Sequence, residues 1–250
     1  MSSLPIDPMV AAMARLIRDR DIVTTGVASD LPMLAVALAK ATHAPELVYF
    51  NCVGAVDPTW KSFPVSSVEP ELLPGDAFIR LEEIWEMANQ GRIDFMFFGA
   101  YQIDALGRTN LHRLRSGAKL PGIAGASTMR RKVIRPVLFS TRHDTKTFVP
   151  EVDVVTTSPR PGEDNLAVTP LAVMSLGQKG TRIISLLAGH TAEEVQSQTG
   201  FELTWTDPLE TLALPSSKEQ EALDRLDPER RRERYLTRSG ASRYNSHAHE

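Results

Sequence analysis

The chain has 250 residues and a single cysteine, so no disulfide can form within it. Hydrophobic residues make up 42% of the sequence and charged residues 24%, which is the composition of an ordinary globular protein that folds without cross-links. The formal net charge of −3 argues against a general nucleic-acid binder. No apolar run approaches the roughly 20 residues that span a bilayer, and "MSSLPIDPMV" lacks the basic start and apolar core of a signal peptide, so we expect a cytoplasmic protein.

The first fifty residues predict a helix followed by a βαβ unit. Asp7-Pro8 supplies a cap and a first-turn proline for a helix over residues 7–19. "DIVTTG" is typical of a short strand that ends at Gly26, Ser29 to Pro32 open a second helix that ends near His43, and "LVYFN" is an apolar strand. Two strands joined by a helix in about 30 residues indicate a parallel sheet.

The alternation of strands and helices continues through the middle of the chain. It predicts helices near 81–90 and over 192–199, and strands in "IDFMFF", "KVIRPVLF", "VDVVTT" and "RIISLL". The fold class is therefore α/β, an open and mostly parallel sheet with helices on both faces. We expect one α/β domain over residues 1–215, and a polar helix with a loose tail over 216–250 that includes "ERRRER".

The cysteine stands where a ligand would bind in such a fold. Ligands of open α/β sheets lie outside the carboxyl ends of strands, and Cys52 follows "LVYFN". Free cysteine is also among the most buried residue types, so a catalytic thiol and a core residue both remain open. We expect "GAYQIDALGRTN" and "LPGIAGAST" to share this rim, where their glycines either expose backbone N–H groups to an anion or make tight turns.

Other patterns narrow the chemistry less. The stretch between Asp104 and Asp144 contains basic residues and no acidic one, which fits a phosphate-rich ligand, an acidic partner or a solvated face. The motifs G-x-x-x-x-G-K-[ST], G-x-G-x-x-G and G-x-S-x-G are absent from the sequence. One cysteine and six histidines show no metal-ligand spacing, so we expect no metal site, and no histidine stands out as a base.

The order of several segments resembles the small (β) subunits of family I coenzyme A transferases, the glutaconate type, over about residues 8–230. These segments are "TGVAS", "ATHAPEL", the strand before Cys52, "FFGAYQIDALGRTN", "PGIAGAS" and "FVPEVDVVTT". The most specific is G-A-x-Q-x-D-x-x-G-x-x-N, formed by Gly99, Ala100, Gln102, Asp104, Gly107 and Asn110. In the transferases a glutamate at the position of Cys52 carries the acyl group and then coenzyme A, and a thiol does not support this exchange.

Cysteine at this position, together with "TGVAS", "ATHAP" and "CVG", resembles a decarboxylase branch of the family. The resemblance implies the small subunit of a cofactor-independent lyase that converts 3-methylglutaconyl-CoA to 3,3-dimethylacrylyl-CoA, on a route to isovaleryl-CoA. It also implies a larger α subunit of the same family as partner, in a heterotetramer or higher assembly. Coenzyme A enters only as part of the substrate.

The resemblance assigns residues to this reaction. Cys52 is the expected catalytic residue, as a general acid. The expected substrate-binding residues are Asn51, Val53, Gly54, Gly99, Ala100, Gln102, Gly122, Ile123, Gly125 and Ala126. Three alternatives remain: a coenzyme A thioester or ring-opening hydrolase with Cys52 as acyl acceptor, a coenzyme A transferase β subunit, and a non-catalytic scaffold whose partner performs the chemistry.

Overall fold

The fold is seen in a computed structural model that describes residues 5–60, 63–64 and 75–235. Its strands are β1 (Ile22–Thr24), β2 (Val48–Phe50), β3 (Ala55–Val56), β4 (Ala77–Phe78), β5 (Phe95–Gly99), β6 (Gln102–Ile103), β7 (Thr109–Asn110), β8 (Arg135–Phe139), β9 (Asp164–Val168), β10 (Ala172–Gly177), β11 (Arg182–Leu187) and β12 (Glu210–Leu212). Its helices are α1 (Asp7–Arg15), α2 (Asp30–Thr42), α3 (Leu81–Asn89), α4 (Ala126–Lys132), α5 (Ala192–Ser197) and α6 (Ser217–Leu226), with a 3-10 helix over Arg231–Tyr235.

Among the described residues, all strands except the β6–β7 hairpin form one sheet in the order β12-β11-β10-β9-β8-β5-β1-β2-β3-β4. The central strands β2, β1, β5, β8 and β9 are parallel. Their carboxyl ends therefore meet at one edge, which we call the carboxyl edge and which continues into Thr25, Asn51, Ala100, Ser140 and Thr169. Strands β3, β4 and β10 run antiparallel to their neighbours.

Helices cover both faces of the sheet. One apolar cluster joins α1, α2 and α6 to one face, and a second joins α3, α4 and α5 to the other. Apolar positions at helical spacing explain this packing: Leu31, Leu34, Ala35 and Leu38 lie on one side of α2 and are all fully buried. The predicted α/β class, with a mostly parallel central sheet covered on both faces, is confirmed.

Two segments differ from the sequence prediction. The strand predicted in "VDVVTT" is wrong, because the N–H groups of Asp153 and Thr156 donate to Gln102 and Thr109 of the β6–β7 hairpin instead of to a ladder. Strands β9 and β10 were not predicted, although they pair with each other over five residues. The first helix ends at Arg15, short of the predicted residue 19.

The "ERRRER" segment packs against the domain. The Arg232 side chain is fully buried and bonds Asp7 of α1 as well as Asp224 and Asp227. Helix α6 begins with a capping box of Ser216 and Glu219. Residues 236–250, which make up much of the predicted loose tail, lie outside the described residues. No helix in the described part of the chain is long and apolar enough to cross a membrane.

Candidate active site at the carboxyl edge of the sheet

Cys52 lies in the tight turn that joins β2 to β3. The Gly54 N–H donates to the Asn51 carbonyl at 3.0 Å, and the Asn51 N–H donates to the Ala55 carbonyl at 3.1 Å. Cys52 and Val53 therefore occupy the two central positions of a β-turn, where side chains point away from the ladder. The Cys52 side chain is partly exposed at the carboxyl edge and is not sealed in the core.

The Asn51 side chain holds this turn from within. Its Oδ1 accepts hydrogen bonds from the N–H groups of Val53, at 3.1 Å, and Ala55, at 2.9 Å. Asn51 is fully buried, and its Nδ2 has no hydrogen-bond partner among the described residues. A buried donor without a partner costs about 1–3 kcal/mol, so the turn that presents Cys52 contains a local cost that favours a further contact at this position.

The next stretch of chain packs directly against the Cys52 turn. The Ile79 N–H donates to the Gly54 carbonyl at 2.8 Å, and a Cβ on Gly54 would lie 2.2 Å from the Ile79 carbonyl oxygen. Gly54 also has a φ of +96°, in the left-handed region that favours glycine. The turn therefore requires glycine at this position for both conformation and space.

A neutral phenol lies beneath the turn. The Tyr49 hydroxyl and the Thr25 Oγ1 are 2.6 Å apart, and both side chains are buried. Burial raises the pKa of Tyr49 well above its usual range, and the charge of Cys52 adds a smaller effect in the same direction. The phenol consequently stays protonated at neutral pH.

Exposed apolar side chains lie on the segments that flank Cys52. The side chains of Val27, which follows β1, and Phe78, in β4, are 62% and 64% exposed, and Leu81 at the start of α3 is 50% exposed. Phe78 contacts the Gly54 position, so this apolar surface borders the Cys52 turn. Apolar surface grouped in this way is typical of a binding face.

The second glycine turn, residues 122–126, leads into α4 and packs against α3. A Cβ on Gly125 would lie 2.5 Å from Cζ2 of Trp85, so the ring lies directly against this backbone. The N–H groups of Gly122 and Ala126 are already bonded to Leu111 and Ile123 carbonyls.

The backbone between these two residues is unusual. Within the described residues no acceptor bonds the N–H groups of Ile123, Ala124 and Gly125. Ala124 has a φ of +42°, which is uncommon for a residue with a side chain. Since α3 follows Ile79, a chain of contacts joins this turn to the Cys52 turn.

The residues of the family motif stabilise local structure. The Gln102 Oε1 accepts hydrogen bonds from Asn110 Nδ2 at 2.8 Å and from the Asp153 N–H at 3.0 Å. The Asp104 Oδ1 accepts from the N–H groups of Leu106 and Arg108. Gly99 and Ala100 end β5 at the carboxyl edge and are partly buried. These contacts fix the β6–β7 hairpin, and a substrate contact by Gln102 stays a prediction.

Much of the basic stretch faces acidic neighbours. Ion pairs engage Arg108 with Asp104 and Glu151, Arg115 with Glu151 and Asp153, Arg135 with Asp21, and Arg142 with Asp144. Arg130, Arg131 and Lys132, which follow one another on α4, form no ion pair within the described residues. The stretch is therefore not one continuous cationic surface, and its unpaired charge includes three successive residues of α4.

A buried histidine lies near the carboxyl end of β9, where no sequence pattern had pointed to it. The His143 ring nitrogens are 2.8 Å from Thr169 Oγ1 and 3.0 Å from Thr199 Oγ1, and the ring stacks on Phe148. Burial lowers the pKa of His143 to about 4, so the ring is neutral near pH 7. No group of three or more metal-ligating side chains occurs in the described residues.

An α/β sheet with a cysteine turn and a glycine turn at its carboxyl edge defines a small-molecule enzyme scaffold. A family model described as coenzyme A transferase matches residues 6–186. The chain therefore belongs to the coenzyme A transferase family and corresponds to its β subunit, which confirms the resemblance seen in the sequence.

Relatives and solved structures agree with this assignment. A 3-oxoadipate CoA-transferase subunit of Pseudomonas knackmussii is 28% identical over 240 residues, which cover 88% of this chain and 91% of that protein. The crystal structure of the decarboxylase AibA/AibB matches with a TM-score of 0.89 and 37% identity, over 94% of this chain and 99% of the matched chain. Glutaconate coenzyme A-transferase from Acidaminococcus fermentans shares the fold, with a TM-score of 0.80 and 19% identity over 91% and 96% of the two chains.

Further solved structures of that decarboxylase are of variants in which one cysteine is replaced by valine, serine, alanine or asparagine. The matched names also include two-subunit enzymes.

Proposed function

We propose that this chain is the small subunit of a decarboxylase that acts on a glutaconyl-type coenzyme A thioester and converts 3-methylglutaconyl-CoA to 3,3-dimethylacrylyl-CoA. The observation that supports it most is Cys52, partly exposed in the β2–β3 turn at the carboxyl edge. The 37% identity to the decarboxylase AibA/AibB, and the existence of variants of that enzyme at one cysteine, support the same assignment.

The composition of the turn argues against covalent transfer. Residues 51–56 are Asn-Cys-Val-Gly-Ala-Val and include no carboxylate. A transferase of this family type needs a carboxylate that forms an acyl anhydride and then a thioester with coenzyme A. A thiol could hold coenzyme A only as a disulfide, and this would be a redox step.

Decarboxylation of this substrate needs no separate cofactor. The departing carboxylate is vinylogous to the thioester carbonyl, so loss of CO2 leaves a dienolate whose charge spreads to the thioester oxygen. The protein must hold the acyl chain with its carboxylate out of the plane of conjugation, and contacts to the distant coenzyme A moiety supply the binding energy for this. The substrate itself is the electron sink.

The glycine turn at residues 122–126 is the proposed donor to the developing enolate oxygen. The unbonded N–H groups of Ile123, Ala124 and Gly125 can donate without breaking an existing hydrogen bond. Preorganised donors of this kind are effective, since loss of one typically costs about 3–4 kcal/mol of transition-state stabilisation.

Cys52 is the proposed acid that completes the reaction. After CO2 leaves, one proton must reach the terminal carbon of the dienolate. A thiol has an ordinary pKa near 8.5 and is mostly protonated at neutral pH, which suits it better than a carboxylate. The thiolate then recovers a proton from solvent, and the buried, protonated Tyr49 adds no negative charge beneath it.

A larger α subunit of the same family is the proposed partner, in a heterotetramer or higher assembly in the cytoplasm. The exposed side chains of Val27, Phe78 and Leu81 beside the Cys52 turn support a covering subunit, because they form an apolar border that solvent would otherwise contact. The two-subunit names of the relatives support the same arrangement.

The test uses the chain co-purified with its α subunit. CO2 release and the ultraviolet signature of the thioester are followed together with 3-methylglutaconyl-CoA as substrate. Cys52→Ala and Cys52→Ser should lower kcat by about 10²–10⁴-fold, the usual contribution of a general acid. Thr59→Ala, at an exposed position beyond β3, is the control and should leave kcat unchanged.

Three outcomes contradict the proposal. Release of free coenzyme A without CO2 would indicate the hydrolase. Transfer of coenzyme A to an added carboxylic acid would indicate the transferase β subunit, which the names of the relatives also favour. An unchanged rate in both Cys52 variants would leave only the scaffold.

A further inference from the structure

A groove of about 440 Å³ runs along the outer face of α4. One wall is α4 and the other is the segment that leads to β9. The polar side chains that line it are Ser127, Thr128, Arg131, Lys132, Thr156 and Ser158. None of the described residues that line the groove is acidic. Hydroxyl donors on both walls, with two cations, are the groups that proteins use to bind phosphate.

A third cation lies behind the groove. Arg130 is only 1% exposed, and its guanidinium donates to the Thr157 Oγ1 at 2.7 Å, the Gly107 carbonyl at 2.7 Å and the Asn165 Oδ1 at 2.6 Å. Thr157 itself lines the groove. All these acceptors are neutral, so hydrogen bonds orient Arg130 without neutralising its charge.

The charge of Arg130 lacks a direct counter-ion in the described part of the chain. Asp104 is the acidic group that influences it, and the Asp104 Oδ2 is already bonded to Arg108 at 2.7 Å. Burial lowers the pKa of Arg130 to about 10, which leaves the side chain charged at neutral pH. Arg232, the other fully buried arginine, bonds three carboxylates. A buried, uncompensated cation is unfavourable, and an anion in the groove would relieve this.

We propose that this groove binds the phosphate groups at the nucleotide end of the coenzyme A thioester. The identity of the ligand rests on the proposed function. Helix α4 begins at the glycine turn on the carboxyl edge and ends where the chain enters β8 at the opposite edge, so the groove starts near the Cys52 rim and leads away from it. Coenzyme A holds its phosphates at the far end of the pantetheine arm from the thioester, which matches a site separated from Cys52.

Binding to the full-length chain tests the proposal by calorimetry. The probes are 3′-phosphoadenosine 5′-diphosphate, adenosine and inorganic pyrophosphate. The double variant Arg131→Ala, Lys132→Ala should raise the Kd of the phosphorylated nucleotide by about tenfold or more, since charged contacts are lost. The double variant Lys179→Ala, Arg182→Ala removes the same charge from exposed positions outside the groove and should leave this Kd within about twofold.

Four results would overturn the proposal: no binding of the phosphorylated nucleotide to the unsubstituted chain, adenosine binding as tightly as that nucleotide, pyrophosphate binding as tightly as that nucleotide, or an equal effect of the two double variants. The third result would indicate a general anion site.

Kinetics of the two-subunit complex separates this proposal from the proposed function. The groove variant should raise KM for the coenzyme A thioester and keep kcat, and should leave KM for a pantetheine thioester that lacks the nucleotide unchanged. Absence of CO2 release together with groove-dependent nucleotide binding would reject the decarboxylase and keep the groove. CO2 release with an unchanged KM in the groove variant would reject the groove alone.

Discussion

Gly54 and Ile79 are joined by a hydrogen bond from the Ile79 N–H to the Gly54 carbonyl at 2.8 Å. This contact connects the turn that presents Cys52 to the segment that begins α3. Trp85 of α3 in turn contacts the backbone of Gly125. Helix α3 thus connects the two turns proposed to act on opposite ends of one acyl group, and the geometry of the site depends on how this helix is seated.

Gly54→Ala should destabilise the fold and reduce turnover together. A left-handed residue with a side chain costs about 1–2 kcal/mol, and the clash with the Ile79 carbonyl adds about 1–3 kcal/mol of overpacking. Urea unfolding and kcat measure the two effects. Gly180→Ala is the control, because Gly180 also has a positive φ but nothing lies within 4 Å of its Cβ position. Equal losses in both variants would show that the Ile79 contact has no role.

Cys52→Glu should abolish CO2 release and create a covalent site for coenzyme A. A carboxylate in the turn can form the anhydride and the thioester that the present thiol cannot hold. Intact mass of the complex after incubation with an acyl-CoA detects the enzyme-bound coenzyme A. Cys52→Gln, of similar size but without a carboxylate, is the control, and an adduct of equal yield in both variants would contradict the argument.

Local patterns suffice for the elements on which the site is built. β1, α2 and β2 follow from short apolar strands, a helix that begins at Ser29 and Asp30, and one buried face that includes Leu31 and Leu34. Their order places Cys52 at a strand end because parallel strands end at one edge. The position of the candidate site was therefore readable from the sequence.

The same patterns fail where long-range contacts decide the structure. Val152 to Thr157 have strand composition, yet Thr156 donates to Thr109, nearly fifty residues earlier in the chain, and forms a loop. β9 begins with Asp164 and Asn165, which resemble loop residues, although β8 and β10 pair with it on both sides. The requirement for Gly54 depends on Ile79, and the α4 groove depends on the burial of Arg130, so neither is visible in the local sequence.

His143 makes the stability of the fold fall at acidic pH. Its folded pKa of about 4 lies below the ordinary 6.5, so its contribution is complete above pH 6.5 and is lost as the pH falls towards 4. Each tenfold change in proton affinity is about 1.4 kcal/mol, so the loss reaches about 2 kcal/mol near pH 5. Urea unfolding at neutral pH and near pH 5 measures it.

His143→Gln isolates this effect, because the amide keeps partners for Thr169 and Thr199 and does not titrate. Its free energy of unfolding should fall less between the two pH values than that of the unsubstituted protein. His112→Gln, at an exposed position, should keep the original pH dependence. If His143→Gln keeps it too, the buried ring is not its source.

Arg232→Met should destabilise the protein more than any exposed arginine replacement. The Arg232 guanidinium bonds Asp7 at 2.7 Å and Asp227 at 3.1 Å, and all three side chains are fully buried. Removal of the cation leaves two buried carboxylates without their partner, and breaking such a cluster typically costs about 3–5 kcal/mol. Arg20→Met removes the surface pair of Arg20 with Glu46 and should cost less than about 1 kcal/mol. Urea midpoints at neutral pH compare the two, and similar midpoints would mean that the 3-10 helix is not needed to hold α1 in place.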